Sequence, residues 1–70
     1  MSKQRTVDLE ALRTQRGFGN RSEFARALGV SREATWRWET GRREMSAAMC
    51  KKVADVLGVE MEEVLQAVTA

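Results

Sequence analysis

Apolar residues recur along this chain at intervals of three and four positions, and glycines separate the stretches in which they do so. That spacing collects apolar side chains on one face of an α-helix. The sequence has no stretch of sustained alternation between apolar, β-branched positions and polar ones, which is the pattern of a half-buried strand. The pattern therefore predicts an all-α fold, a compact bundle of four or five short helices.

Residues that can cap a helix mark the boundaries of the predicted segments. Asn20, Ser31 and Ser46 each precede a segment with helical periodicity, and a side-chain oxygen at that place can accept a hydrogen bond from a backbone N–H of the first turn. Glycine, which ends helices by adopting a left-handed conformation, follows the first four segments. The predicted helices span residues 7–16, 21–28, 32–40, 47–57 and 61–68.

Length and composition exclude several kinds of protein. Seventy residues allow one domain, which we assign to residues 1–70. Histidine is absent and Cys50 is the only cysteine, which excludes histidine-based catalysis, an intramolecular disulfide and a cysteine–histidine zinc site. Because the sequence shows neither a membrane-spanning apolar run nor a signal peptide, we expect a cytoplasmic protein. A chain this short has little room for a cavity beside its core, so we expect no cofactor, metal or small-molecule ligand.

The net charge of +2 is distributed unevenly along the chain. Residues 1–12 are neutral overall, residues 13–43 carry eight arginines against three glutamates, and residues 44–70 carry five acidic residues against two lysines. A basic middle segment favours a polyanionic partner that binds one face of the protein. The alternative is that these arginines are solvated and serve only to keep the protein in solution.

The segment 21–40 has the features of two helices joined by a tight turn. Ala25 is small enough to let the helices approach closely, and Gly29 permits the positive φ that a sharp turn needs. Phe24 and Trp38 supply large apolar side chains that would hold the pair against the rest of the bundle. These features are typical of a helix-turn-helix unit.

Three motifs extend this interpretation to nearly the whole chain. Residues 20–31 read Asn-Arg-Ser-Glu-Phe-Ala-Arg-Ala-Leu-Gly-Val-Ser, and residues 38–43 read Trp-Glu-Thr-Gly-Arg-Arg. Together with Val-Ala-Asp-Val-Leu-Gly-Val at 53–59, they resemble the phage-repressor/Cro-like (XRE) helix-turn-helix family. The resemblance implies a lambda-repressor-like fold and a sequence-specific transcriptional regulator, nucleoid-associated, whose third helix enters the major groove of double-stranded DNA.

The outward face of the third predicted helix supplies the candidate base-reading residues. They are Arg32, Glu33, Trp36 and Arg37. Arg32 and Arg37 can each donate two hydrogen bonds to guanine, and Glu33 can accept one from cytosine. Glu33 has an alternative role in an ion pair with Arg37, one helical turn later. Trp36 either contacts DNA or packs on the rim of the bundle.

A second group of residues is expected to contact phosphates beside that face. Its members are Arg21, Ser31, Thr40, Arg42 and Arg43. For the arginines among them the alternative is solvation without a partner. The family resemblance also implies a structural ion pair between Arg13, late in the first helix, and Glu39, near the end of the third.

The expected partner is an inverted-repeat operator bound by a homodimer, because one recognition helix reads only a few base pairs. Catalysis is not expected, since the sequence shows no nucleophile–base pair, glycine-rich phosphate loop or carboxylate cluster at metal-binding spacing. Two alternatives are a DNA-binding antitoxin or restriction–modification controller, which would share the fold, and a helical protein-interaction module. The arginines of the third helix favour a phosphate-rich partner over the interaction module.

Overall fold

The structure is a computed structural model, and it describes residues 8–68. This part of the chain forms five α-helices and contains no strand, which confirms the predicted all-α fold. The helices are α1 (Leu9–Gln15), α2 (Arg21–Leu28), α3 (Arg32–Glu39), α4 (Ala47–Leu57) and α5 (Met61–Val68). The first helix was expected to begin at Val7, which lies outside the described residues.

Both α1 and α3 end one residue earlier than the sequence predicts. Arg16 and Thr40, the expected last residues of these helices, are C-caps, with ψ values of 17° and 3° respectively. Their N–H groups still donate to carbonyls of the preceding turn. Gly17 and Gly41 follow with φ values of 99° and 75°, and this left-handed conformation turns the chain away from the helix axis.

Asn20, Ser31 and Ser46 act as the predicted caps, and Asp8 is a further cap that the sequence analysis did not predict. The Asn20 side chain accepts two backbone N–H groups of α2, at 2.7 and 3.3 Å. Ser31 and Ser46 each accept the N–H of the residue three positions later at 3.1 Å. Asp8 does the same for α1 at 2.9 Å. Each bond satisfies an N–H that has no partner inside its own helix, so these residues set where the helices begin.

The core lies between the helices that pack across the bundle. α2 packs against α3 and α4, and α5 packs against α4 and α1. The largest fully buried apolar side chains include Leu9, Phe24, Leu28, Val53 and Val64. Cys50 is buried among them, and this burial raises the pKa of its thiol. Cys50 is therefore a small core residue without the exposed thiolate that a reactive cysteine needs.

The turn between α2 and α3 is made by Gly29, whose φ of 76° is left-handed. The backbone N–H of Val30 donates to the Ala25 carbonyl at 3.0 Å and closes the turn. Ala25 itself is buried. Only residues 29–31 separate the two helices, so the orientation of α3 is set by its packing on α2.

One face of α3 belongs to the core. Thr35 and Trp38 are buried, and the Thr35 hydroxyl donates to the Arg32 carbonyl at 2.7 Å. Because that hydroxyl has a partner, threonine occupies an interior position without leaving a polar group unsatisfied. The opposite face of α3 is thereby directed to solvent.

Candidate nucleic-acid interface

The residues expected to read bases lie together on the exposed face of α3. Arg32, Glu33, Trp36 and Arg37 are all exposed. Their common exposure follows from the helical period, because the inward positions of the same helix are occupied by Thr35 and Trp38. The face spans residues 32–37, about one and a half helical turns, and presents two guanidinium groups, one carboxylate and one indole.

Glu33 and Arg37 form an ion pair in the unbound protein. A terminal nitrogen of Arg37 lies 2.9 Å from Glu33 Oε2. The Arg37 side chain is 45% exposed and the Glu33 side chain is 68% exposed. Of the two roles considered for Glu33, the ion pair is present in this structure. A surface pair of this kind contributes little to stability, so its main effect is to hold the Arg37 guanidinium beside a negative charge.

Trp36 is joined to the loop after α3 by the side chain of Arg42. The central guanidinium carbon of Arg42 lies 5.2 Å from the centroid of the indole ring, which is the geometry of a cation–π contact. The backbone N–H of Arg42 also donates to the Arg37 carbonyl at 2.9 Å. Trp36 remains 38% exposed. The arginine of the loop is therefore positioned against the outer face of α3 before any ligand binds.

The two hydroxyl groups expected near phosphates are engaged at the ends of α3. Ser31 Oγ accepts the N–H of Ala34, which leaves its own proton available to a phosphate oxygen. Thr40 Oγ1 donates to the Trp36 carbonyl at 2.8 Å, so its proton is already used within the helix. Arg43 is exposed in the loop that follows.

A buried carboxylate connects α1, α2 and α3. Glu39 Oε2 lies 2.7 Å from Arg13 Nε, and Glu39 Oε1 lies 2.8 Å from a terminal nitrogen of Arg21. The side chains of Glu39 and Arg13 are 2% and 4% exposed. Arg13 also donates to the Phe18 carbonyl at 2.7 Å. The Arg13–Glu39 pair implied by the family resemblance is thus formed, and it is buried.

Arg21 was expected to contact phosphate from solvent, and the structure gives it a partner that the sequence did not indicate. Its Nε donates to Glu39 Oε1 at 2.9 Å, and its side chain is 25% exposed. The two residues are 18 positions apart, so no local spacing identifies the contact. Arg21 therefore helps to neutralise Glu39 while part of its guanidinium still faces solvent.

Arg16 has a structural role that sequence reasoning missed. Its guanidinium donates to the carbonyls of Leu57 and Gly58 at 3.2 and 2.9 Å. These carbonyls lie at the C-terminus of α4, where helices attract cationic side chains. Arg16 thereby ties α1 to the end of α4 and does not belong to the face formed by α3.

The described residues contain neither a metal site nor a membrane-spanning helix. No group of histidine, cysteine, aspartate or glutamate side chains within 8–68 could hold a metal ion. Over the same residues, every helix is too short or too polar to cross a membrane. A concavity beside α3 is lined by Arg21, Arg32, Glu33 and Trp36. Its lining therefore combines two cationic side chains, one carboxylate and one aromatic ring.

Comparison with known families agrees with this arrangement. Residues 9–64 match a family model described as helix-turn-helix, a family that binds DNA in regulation and is not catalytic. Neither the curated proteins nor the solved structures include a significant match. Because the family match covers most of the chain, this protein belongs to the phage-repressor/Cro-like (XRE) helix-turn-helix family of DNA-binding regulators.

Proposed function

We propose that this protein is a sequence-specific transcriptional regulator of the repressor/Cro type that inserts α3 into the major groove of duplex DNA. The observation that carries the proposal is the division of α3 into a buried face and an exposed face with two arginines. The major groove, about 12 Å wide, admits a single α-helix. A duplex target also implies that the protein acts at the nucleoid, in the cytoplasm.

Arg32 and Arg37 are the proposed guanine readers, and they differ in the unbound protein. The Arg32 side chain has no hydrogen-bond or charged partner within residues 8–68, whereas Arg37 is paired with Glu33. Each guanidinium can donate two hydrogen bonds to guanine O6 and N7. Trp36 lies on the same exposed face, where its ring would meet the methyl group of thymine or a sugar.

The residues around this face are proposed to hold the protein on the phosphate backbone. They are Arg21, Ser31, Thr40, Arg42 and Arg43, and on binding the Thr40 hydroxyl would turn its proton from the Trp36 carbonyl to a phosphate oxygen. The contact of Arg42 with Trp36 supports its place in this group, because it holds a cation beside the proposed base-reading face. Phosphate contacts fix the register of a protein on DNA and carry no sequence information themselves.

We also propose that two copies bind an inverted repeat. One recognition helix reads too few base pairs to define a genomic site, and a two-fold arrangement places two such helices about 34 Å apart. Half-buried apolar side chains of the C-terminal half, Met49, Val56 and Val68, support a self-association surface there.

Replacing Arg37 by alanine tests the proposal. On a duplex selected by the wild-type protein from a random pool, R37A is expected to bind more weakly by about 1–3 kcal/mol, and on random duplex it is expected to bind almost unchanged. Lys51→Ala removes the same charge from an exposed position on α4 and serves as the control. Fluorescence anisotropy of labelled duplexes at one salt concentration measures both affinities.

Two results would contradict parts of this proposal. Equal weakening of R37A on selected and random duplexes would exclude Arg37 as a base reader. Binding that does not weaken as salt increases would argue against a phosphate-rich partner and for a protein-interaction module, since phosphate contacts make affinity fall with salt.

A further inference from the structure

The outer face of α3 carries an acidic residue, Glu33. A basic side chain at this position would increase the affinity for DNA. Glu33 is 68% exposed and is not needed for packing. Building on the proposed function, we propose that Glu33 and Arg37 read DNA as one unit. Arg37 donates to a guanine, and Glu33 selects a base with an exocyclic amino group, cytosine or adenine, beside that guanine.

The geometry of the pair brings both groups to neighbouring base edges. The two charged groups are 2.9 Å apart, although their backbone positions are separated by one helical turn. Stacked bases are about 3.4 Å apart along each strand. When the Arg37 guanidinium binds a guanine, the Glu33 carboxylate therefore lies at the edge of the directly neighbouring base.

The chemistry of the groove then decides which neighbour is accepted. An ionised carboxylate only accepts hydrogen bonds. In the major groove, cytosine N4 and adenine N6 are donors, whereas guanine and thymine present O6, N7 or O4 as acceptors. Glu33 is attracted to the first two bases and repelled by the other two. The guanidinium has five N–H donors, so Arg37 can donate two to guanine while it keeps Glu33 as a partner.

The same pair lowers the attraction of α3 for DNA of arbitrary sequence. A carboxylate beside Arg37 offsets its positive charge and repels phosphate oxygens. This repulsion acts wherever the correct base edges are missing, which is a way to gain specificity at the expense of affinity.

The variant E33A, which removes both the charge and the hydrogen-bond acceptor, tests this inference, and D55A is its matched control. Asp55 also belongs to an exposed i, i+4 pair, with Lys51 on α4, and its replacement changes the net charge equally. Site selection from random duplexes is expected to show that E33A keeps the guanine and loses the adjacent cytosine or adenine preference by roughly tenfold. E33A is also expected to bind random duplex severalfold more tightly, and D55A is expected to resemble wild type in both respects.

The outcomes separate this inference from the function on which it rests. If E33A retains the neighbouring-base preference, or if D55A tightens random binding as much as E33A does, the paired reader is overturned. If R37A removes the guanine from the selected sequence while E33A changes nothing, only the paired reader fails. If R37A also leaves the selected sequence unchanged, α3 does not read bases through this residue, and the proposed base readout fails with it.

Discussion

Glu39 is the residue at which three helices meet. A buried carboxylate is costly unless it is paired and hydrogen-bonded, and both oxygens of Glu39 have guanidinium partners. Arg13 is equally buried and uses a second nitrogen on the Phe18 carbonyl, so neither charge is left without a partner. The result is a fixed orientation of α3 relative to α1 and α2.

Removing either arginine from this cluster is expected to reduce stability, but by different amounts. Arg13→Met should lower the free energy of unfolding by about 3 kcal/mol, because it removes a buried partner of a buried carboxylate. Arg21→Met should cost about 1 kcal/mol, because Arg21 is partly exposed and Arg13 still neutralises Glu39. Urea unfolding followed by circular dichroism measures both.

Arg26→Met, at an exposed position of α2, is the control and is expected to change stability by less than about 0.5 kcal/mol. A double-mutant cycle of Arg13→Met with Glu39→Gln should show coupling of more than about 1 kcal/mol. Coupling near zero would mean that the buried pair does not stabilise the fold.

At the scale of the element, α3 is positioned by the turns at its two ends. Gly29 adopts a left-handed φ between α2 and α3, and Gly41 does so directly after the C-cap of α3. The second turn brings Arg42 over Trp36, which joins the loop to the exposed face of the helix. A helix of only eight residues therefore depends on its neighbours for its orientation.

Gly29→Ala is expected to destabilise the protein by about 1–2 kcal/mol, because a left-handed backbone crowds any Cβ. A Cβ at this position would lie 3.7 Å from Lys52 Nζ, an ordinary contact, so the cost comes from the backbone and not from a collision. Thermal unfolding measures the change.

Gly19→Ala is the control: Gly19 has open space around it and no left-handed φ, so alanine should be neutral or slightly stabilising there. If both alanine variants were equally benign, the strained turn would not be a determinant of stability.

At the scale of the whole molecule, fewer arginines are available to DNA than the charge pattern suggests. Arg13 is buried on Glu39, and Arg16 is bound to the end of α4. Arg37 has a carboxylate partner on its own helix. Within residues 8–68, several arginines are thus already paired, which is consistent with the proposal that two copies share one DNA site.

We expect this protein to be a monomer, or to exchange between monomer and dimer, at micromolar concentration, and to bind DNA as two chains. Because Met49, Val56 and Val68 pack partly against the core, little of their apolar surface is open to a second copy, and self-association in solution should be weak. Light scattering measures the solution state. Gel shift on an inverted repeat with half-sites about one helical turn apart should show cooperative binding. A single chain that saturates one half-site with undiminished affinity would contradict the dimer and leave DNA binding intact.

The sequence by itself determined five helical segments, the caps Asn20, Ser31 and Ser46, the left-handed glycines and the exposed face of α3. These features are local, because a cap or a helical face depends on residues within about one turn. The tertiary structure alone decided that Arg21 shares Glu39, 18 positions away, and that Arg16 reaches Leu57, 41 positions away. Such partners depend on how the helices pack against one another, and the spacing of residues along the sequence does not predict that packing. For Glu33 the sequence allowed two roles, and only the placed side chains show that it is held on Arg37 before any DNA binds.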